Sequence, residues 1–531
     1  MRTAEKRWWV LERQIQRPPD SGQDRHHKRG EFAGLLRAAV RSPRHRRDLG
    51  YAMLAFKAMQ GAGWLVFSRF VGRIIDVFTL LVLARMLSPA DFGLAALATS
   101  FVVIIDTVLE IPVTQALVRL PAIDKSHLDT GFTIGLIRST LIAVIILAAA
   151  WPYALLNHDE MLRPLVAVLA LGPISRGFAS PAMVQFAREL GFRPTFILEF
   201  SGKLCASIIA TLIVLSGGAY WALVANFVIA STASSIASYV LAPYRPAISL
   251  SRLTDFVGFI GWFSSAQLIA ALNWQFDRFL IGSLADRSTF GRYAVASDVS
   301  VMPTQSIIGP ALQPVMAAFA QISHDRVRTR LAFLKASRFA MLICVPLCIG
   351  MSLTADLTTT LLLGQKWSEA APLLSLLALS VAPISYFQTL YSVSLALDRP
   401  DVVFRLNAVD FGIRLLLLPL GFYLGSIMGV GAARIVLSSL MFAFYLGATR
   451  SLLALGIQEQ LRNLWKVAFA SAVMAISVLF LREGLAARHF HPVVELAFVT
   501  SIGATAYIGT LLLLGIRLIA GRGHLDLVDK S

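Results

Sequence analysis

Residues 68–78, SRFVGRIIDVF, sit inside a long apolar stretch and carry Arg69, Arg73 and Asp76. The spacing is four then three, so all three side chains project from one face of an α-helix. Whether that face meets water or the interior of a membrane bundle is decided by the sequence around it.

The chain has 531 residues, of which 56% are hydrophobic and 15% charged, and its mean hydropathy is +0.68. Ordinary soluble domains are about 25% charged. Apolar windows of about 20 residues recur with short polar breaks, and each is long enough to cross about 30 Å of hydrocarbon as a helix. Spans are expected near 64–86, 92–117, 131–156, 161–183, 196–216, 219–242, 256–284, 293–320, 332–354, 371–397, 408–426, 428–449, 466–486 and 493–520. The expected fold is therefore an all-α, polytopic membrane protein of about 14 transmembrane helices. No window alternates apolar and polar residues over the length of a barrel strand, which argues against a β-barrel.

Lys and Arg set the orientation. With the N-terminus inside, the inner loops receive Arg119 and Lys125, Arg188 and Arg193, Arg245 and Arg252, Arg326, Arg328 and Arg330, and then further pairs as far as Arg517, Arg522 and Lys530. The outer loops are poorer, and the 216–219 and 425–429 turns hold no cation. This bias puts both termini in the cytoplasm, although the outer loops near 287 and 488 run against it.

Much of the net charge of +17 lies in residues 1–57, with RHHKRG at 25–30 and RSPRHRRDL at 41–49. Such a tail need not fold, and its basic residues suit anionic inner-leaflet lipids at about 1 kcal/mol each. The alternative of nucleic-acid contact, suggested by Trp8 and Trp9, is weighed below this and no nucleic acid is expected as a partner. Residues 1–50 lack the apolar core of a signal peptide. Cys205, Cys344 and Cys348 all fall within spans. Cys344 and Cys348 share a helix face without nearby His or carboxylate, so they read as packing residues, with no metal site and no cofactor.

The chain also repeats. At an offset of 198 residues, Gly63-Trp64 lies over Gly261-Trp262, and FGLAALA, from Phe92, lies over FGRYAVA, from Phe290. Two homologous bundles are expected, at 58–245 and 246–450, with an appended helix pair and short tail at 451–531. Transporters built from such halves hold the substrate path at the interface and rock one half against the other.

Four stretches carry a family resemblance: LVLARMLSPADFGLAALA at 81–98, DRFLIGSLADRSTFGRYAVAS at 277–297, LLLGQKWSEAAPLLSLLAL at 361–379 and LALDRPDVVFRLN at 395–407. In this order they resemble the Wzx-type oligosaccharide flippases, polysaccharide transporters of the multidrug/oligosaccharidyl-lipid/polysaccharide exporter superfamily. The resemblance covers about residues 57–460. It implies a V-shaped pair of helix bundles that moves an undecaprenyl-pyrophosphate-linked oligosaccharide from the cytoplasmic to the periplasmic leaflet of the bacterial inner membrane, without covalent chemistry. A polysaccharide polymerase and its chain-length machinery are the candidate protein partners.

The residues can be set against that task. A diphosphate with a string of hydroxyls needs a cavity of cations and hydrogen-bonding groups. At membrane depth the sequence offers Arg69, Arg73, Arg138, Arg176 and Lys203 in the first bundle, and Arg278, Arg414 and Arg434 in the second. Each buried charge costs at least about 2.5 kcal/mol at a helix centre, so such groups face a cavity or a partner, and arginine matches phosphate with two parallel hydrogen bonds. Asp76, Asp106, Glu110 and Asp277 are candidates for a coupling ion. The plain alternatives are pairing and snorkelling to the interface. Asp106 and Glu110 lie at the depth of Arg73, Glu199 precedes Lys203 by four, Asp410 precedes Arg414 by four, and Asp277 is open to being held by Arg278 or by a neighbouring helix. Asn273, Asp298, Gln305 and Gln313 are further polar lining candidates, and Pro303, Pro310 and Pro314 are expected to bend their helix.

Two rival readings stay open. A drug or cation exporter of the same superfamily would favour an acidic or aromatic cavity. A membrane polysaccharide polymerase would be an enzyme, and would want a large outer loop or an outer carboxylate pair; here the outer loops are short and Asp159-Glu160 sits in a brief turn. No Gly-rich phosphate loop ending in Lys-Ser or Lys-Thr is present, which argues against a nucleotide-driven pump. The expectation is a transporter with no catalytic residues.

Overall fold

A computed structural model of the chain describes residues 64, 67–120, 122–189, 191, 193–256, 273, 275–485, 491–521 and 524–529, all within the unit Ala62–Ser531. The basic segment 1–57 and most of the span expected at 256–284 lie outside the described residues.

The first half begins with α1 (67–86) and α2 (Pro89–Val108), then α3 (Val113–Arg119) and α4 (Lys125–Leu156). α2 starts where its sequence says it must. Ser88 accepts a hydrogen bond from the Asp91 N–H at 3.1 Å, Asp91 reaches back to complete a capping box, and Pro89 occupies the first turn, where no N–H is needed. The span expected at 161–183 is broken into α5 (Leu162–Leu169), α6 (Leu171–Gly177), a 3-10 turn (Pro181–Met183) and α7 (Val184–Arg188), with a bend of 56°. Pro181 supplies the reason: it has no N–H to donate and holds Ser180 extended. α8 (Arg193–Leu215) and α9 (Trp221–Leu241) complete this half.

The second half runs through α10 (275–284), α11 (Arg287–Pro303), a π-turn (Thr304–Ile308), α12 (Gly309–Ile322), α13 (Arg326–Leu353), the short α14 (Ala355–Thr358), α15 (Ala371–Val381), α16 (Ile384–Ala396) and α17 (Pro400–Leu453). The helix break expected near Pro303 is the π-turn. α17 is two spans in one run: Gly425 and Ser426 leave helical geometry, Ser426 with φ of 52°, at the turn expected between 425 and 429. There the backbones touch, since a Cβ on Gly429 would lie 1.9 Å from the Gly421 carbonyl oxygen. Next come α18 (Ile457–Leu485) and α19 (Pro492–Leu513), packed on each other and on α13.

Among the described residues, nine helices are long and apolar enough to cross a membrane, the 54-residue α17 counting once, and the broken α5–α7 segment makes up to ten. Leu416, Tyr423, Leu424 and Leu513 are largely exposed, as lipid-facing side chains are. One departure from all-α is a C-terminal antiparallel hairpin, β1 (Ile516–Gly521) with β2 (His524–Asp529), Ile516 pairing with Asp529. It cuts short the span expected at 493–520, because Gly515 takes φ of 83° and ends the helix.

The halves meet where α2 crosses α11. Ser88 and Asp286, the two N-caps, are 198 positions apart, and so are Gly93 and Gly291 at the crossing. Residues that match at an offset of 198 in the sequence thus meet at this crossing. Trp367, fully buried, packs edge-on against Phe92 at 5.8 Å and donates its indole N–H to the Ala84 carbonyl oxygen at 2.7 Å. Lys366 donates to the Arg85 carbonyl oxygen at 2.8 Å, Arg85 donates to the Leu361 carbonyl oxygen, and Arg287 pairs with the buried Asp159. These contacts seal the bundle at the end of the 87–88 turn.

Candidate functional site

Below that seal lies a cavity of about 850 Å³. One wall comes from α1, α6, α8 and α9, the other from α10, α11, α16 and α17 with the π-turn. Its lining includes six basic side chains, Arg73, Arg176, Lys203, Arg278, Arg414 and Arg434, against four carboxylates, Asp76, Asp277, Asp298 and Asp410.

The first wall holds the cationic surplus. Asp76 on α1 accepts from Lys203 Nζ on α8 at 2.7 Å and lies 4.0 Å from Arg73, one turn away on its own helix. Arg73 reaches across the cavity and donates to the Gln305 side-chain oxygen in the π-turn, a direct link between the two walls. Behind this sits Asp106 on α2, between Arg176 on α6 at 2.6 Å and Arg138 on α4 at 3.0 Å. Arg138 also donates to the carbonyl oxygens of Asp106 at 2.7 Å and Leu109 at 2.8 Å, so it caps the exposed carbonyls at the end of α2. Arg176 lies 5.5 Å from the centroid of the Phe227 ring, a cation–π contact. In each cluster one carboxylate serves two cations.

The second wall is balanced within itself. Asp277, 4% exposed, has a guanidinium on each oxygen: Arg414 at 2.7 Å and Arg434, both from α17. The Tyr293 hydroxyl donates to Asp277 at 3.3 Å. Arg414 divides itself, holding Asp410 at 2.7 Å as well, and Arg278 pairs with Asp298 on α11. With a guanidinium on each oxygen, Asp277 ties α10 to α17.

Of the residues singled out from the sequence, Arg73, Asp76, Arg176, Lys203, Asp277, Arg278 and Arg414 all line the cavity, as do Arg434, Asn273, Asp298 and Gln305. Arg138 and Asp106 sit behind the first wall; Arg69 is exposed and lies off the cavity lining, as does Glu110. Several expected pairings are corrected. Asp106 partners Arg138 and Arg176 and not Arg73, because at that depth α2 turns this side chain toward α4 and α6. Lys203 partners Asp76, while Glu199 accepts from Ser68 at 3.2 Å. Of the two holders expected for Asp277, its neighbour Arg278 and a neighbouring helix, it is the helix α17 that holds it. The Asp410–Arg414 pairing stands. Sequence reasoning missed Gln275, Phe387, Tyr391 and Tyr445 on the second wall; an amide within an apolar span was the available signal for Gln275, and nothing set the aromatics apart from ordinary packing residues.

Comparison with known proteins agrees with this architecture. The chain is 25% identical over 334 residues to the succinoglycan biosynthesis transport protein ExoT of Rhizobium meliloti (strain 1021), covering 62% of this chain and 67% of that one. It is 24% identical over 363 residues to the lipopolysaccharide biosynthesis protein WzxC of Escherichia coli (strain K12), covering 66% and 72%. The teichuronic acid biosynthesis protein TuaB of Bacillus subtilis (strain 168) is 23% identical over 456 residues, covering 84% and 93%. In fold, the chain matches an inward closed conformation of the lipid II flippase MurJ with a TM-score of 0.67 over 86% of this chain and 98% of that one, at 13% identity. An inward-facing multidrug resistance MATE family transporter of the MOP superfamily matches with 0.59 over 73% and 99%, at 15% identity. The sequence profile of the polysaccharide biosynthesis protein family matches residues 82–372, more than half of the chain, and the chain belongs to that family.

Proposed function

We propose that this protein is a transporter, and not an enzyme, that flips lipid-linked oligosaccharide units across the bacterial inner membrane for surface polysaccharide biosynthesis. The cargo carrier is an undecaprenyl-pyrophosphate type lipid. The observation that carries the reading is the cavity between the two halves, with more basic than acidic lining groups and the surplus on the first wall. In a site of low dielectric, fixed cations favour a diphosphate and disfavour a cationic drug. The relatives named for succinoglycan, lipopolysaccharide and teichuronic acid biosynthesis support the same substrate class.

The lysine and arginine bias supports cytoplasmic termini, which puts the 87–88 turn outside. With the outer end sealed by the α2–α11 crossing, this is an inward-facing state. Residues 58–245 and 246–450 are the two bundles that rock about that crossing. Arg73, Arg176 and Lys203 receive the diphosphate, with Asp76 and Asp106 holding them in place between cargoes. The basic tail at 1–57 rests on anionic inner-leaflet lipids, and a polysaccharide polymerase with its chain-length machinery receives the cargo.

The fold shared with a multidrug transporter keeps small-molecule export as the competing reading. A deletion strain separates the two. Mass spectrometry of membrane lipids, with surface polymer quantified in parallel, is expected to show a completed lipid-linked unit accumulating as surface polymer disappears. An unchanged lipid-linked pool with altered drug tolerance sinks the flippase reading.

A further inference from the structure

Arg73 is held across the cavity by a neutral group. Asp76, one turn away on its own helix, lies 4.0 Å from Arg73 and accepts from Lys203 Nζ at 2.7 Å, so Lys203 is its closer partner. Arg73 donates to the Gln305 side-chain oxygen on the opposite wall. Both residues line the cavity and neither is closed off, Arg73 being 34% exposed and Gln305 half-buried. An amide oxygen is a weak partner for a guanidinium. A pair of phosphate oxygens adds the attraction of an anion and a second, parallel hydrogen bond.

Position adds to chemistry. Arg73 lies 13 residues before the end of α1, about 20 Å along the helix from the sealed end. Gln305 lies 18 positions beyond the start of α11, in the π-turn. Leu83 and Phe92 line the cavity on its sealed side. The Arg73–Gln305 contact therefore crosses it on the side away from the seal, where cargo enters in the inward-facing state. Helices bend at π-turns, so the contact also ties α1 to a hinge. We propose that Gln305 is a placeholder for the diphosphate: it occupies Arg73 between cargoes, bars the inner end of the cavity, and is displaced when phosphate oxygens take the guanidinium. Displacement unties α1 from the π-turn, so the arrival of cargo frees the second wall to move against the first. A site that must open before it binds shows an affinity reduced by the fraction that is open, and the contact is in that sense autoinhibitory. This rests on the flippase reading.

The test is binding of undecaprenyl pyrophosphate by the full-length protein in nanodiscs, with undecaprenol as the probe that lacks phosphate. Gln305→Leu takes away the competitor and keeps the side-chain size. It is expected to bind the pyrophosphate about tenfold more tightly than the wild type, with an unchanged melting temperature and no gain for undecaprenol. Gln305→Ala is expected to act in the same direction. In an Arg73→Met background, where pyrophosphate binding is weaker throughout, Gln305→Leu is expected to make no difference, since nothing is left to compete for. Equal or weaker pyrophosphate binding by both Gln305 variants overturns the placeholder role while the flippase reading stands, and so does an equal gain for undecaprenol or a gain that persists without Arg73. A fall in melting temperature in both variants makes Gln305 structural and overturns it too. If the wild type and both variants bind no pyrophosphate, both readings fall.

Discussion

Gly93 on α2 and Gly291 on α11 stand 198 positions apart in the chain and back to back in the fold. A Cβ on Gly93 would lie 1.8 Å from the Arg287 carbonyl oxygen, and one on Gly291 would lie 1.9 Å from the Pro89 carbonyl oxygen. The reciprocity is that of a two-fold axis: each glycine faces the first turn of the other's helix. Close backbone approach between membrane helices is what small residues permit. Here it holds shut one end of the cavity.

Gly291→Ala should therefore force the sealed end apart, because the clash is with backbone and no rotamer change relieves it. Transport is expected to be mostly lost. In a background with Cys205, Cys344 and Cys348 replaced by serine, a cysteine at position 83 in the cavity lining should react faster with a maleimide applied from the side of the 87–88 turn. Equal labelling in the alanine variant and its parent would refute the closure role of this crossing.

Arg73 touches both walls, through Asp76 and Gln305. Arg73→Ala is expected to cut transport by about ten- to a hundredfold, the range for a charge-assisted hydrogen bond, with protein abundance unchanged. Arg73→Lys should retain part of the activity, since the charge stays and the planar fork goes. A fall in abundance in place of transport would make Arg73 structural.

Asp277 should behave in the opposite way. Asp277→Ala leaves Arg414 and Arg434 buried without their shared carboxylate, and breaking a buried pair costs about 3–5 kcal/mol. A large drop in melting temperature of the purified protein is expected, with Arg434→Leu in the same background recovering part of it. A normal melting temperature for Asp277→Ala would show that the pair does not carry stability.

Asp286 caps α11 by accepting from the Ser288 and Thr289 N–H groups at 3.0 and 3.1 Å. Its carboxyl is held below the usual range, first by the Thr289 side chain, against an opposing effect of burial, and further by backbone N–H groups. Asp286→Ala is expected to cost about 1 kcal/mol at neutral pH. A depressed folded value means that this contribution is complete above the unfolded value of about 4 and is lost as pH falls through the lower folded one. The stability gap between wild type and variant should accordingly close in acid; a gap that widens below pH 4 would contradict the capping role.

The apolar spans, the break between 425 and 429 and the 198-residue repeat were legible in the sequence, because each is a local pattern or an internal similarity. Many of the charged lining groups were legible too, as cations at membrane depth, although nearby carboxylates offered pairing as the plain alternative and Arg69 and Arg138 fall off the lining. Of their pairings, Asp410 with Arg414, four apart on one helix, was legible, while those between helices were not. Asp106 and Arg73 matched in depth, yet Asp106 meets Arg138 and Arg176, since depth fixes only one coordinate and the rotation of α2 fixes the other two.

What the sequence determined by itself is that this chain crosses a membrane many times as helices, with cations where hydrocarbon should be. Backbone groups in lipid must be satisfied within their own segment, so hydropathy along the chain is enough to specify those helices. What only the tertiary structure decided is that Lys203 shares Asp76 with Arg73 on one wall, while Arg414 and Arg434 neutralise Asp277 on the other. Apart from Arg73 with Asp76, three positions apart on one helix, these pairings span more than a hundred residues, and which carboxylate reaches which cation depends on helix rotation and crossing, which no local pattern encodes.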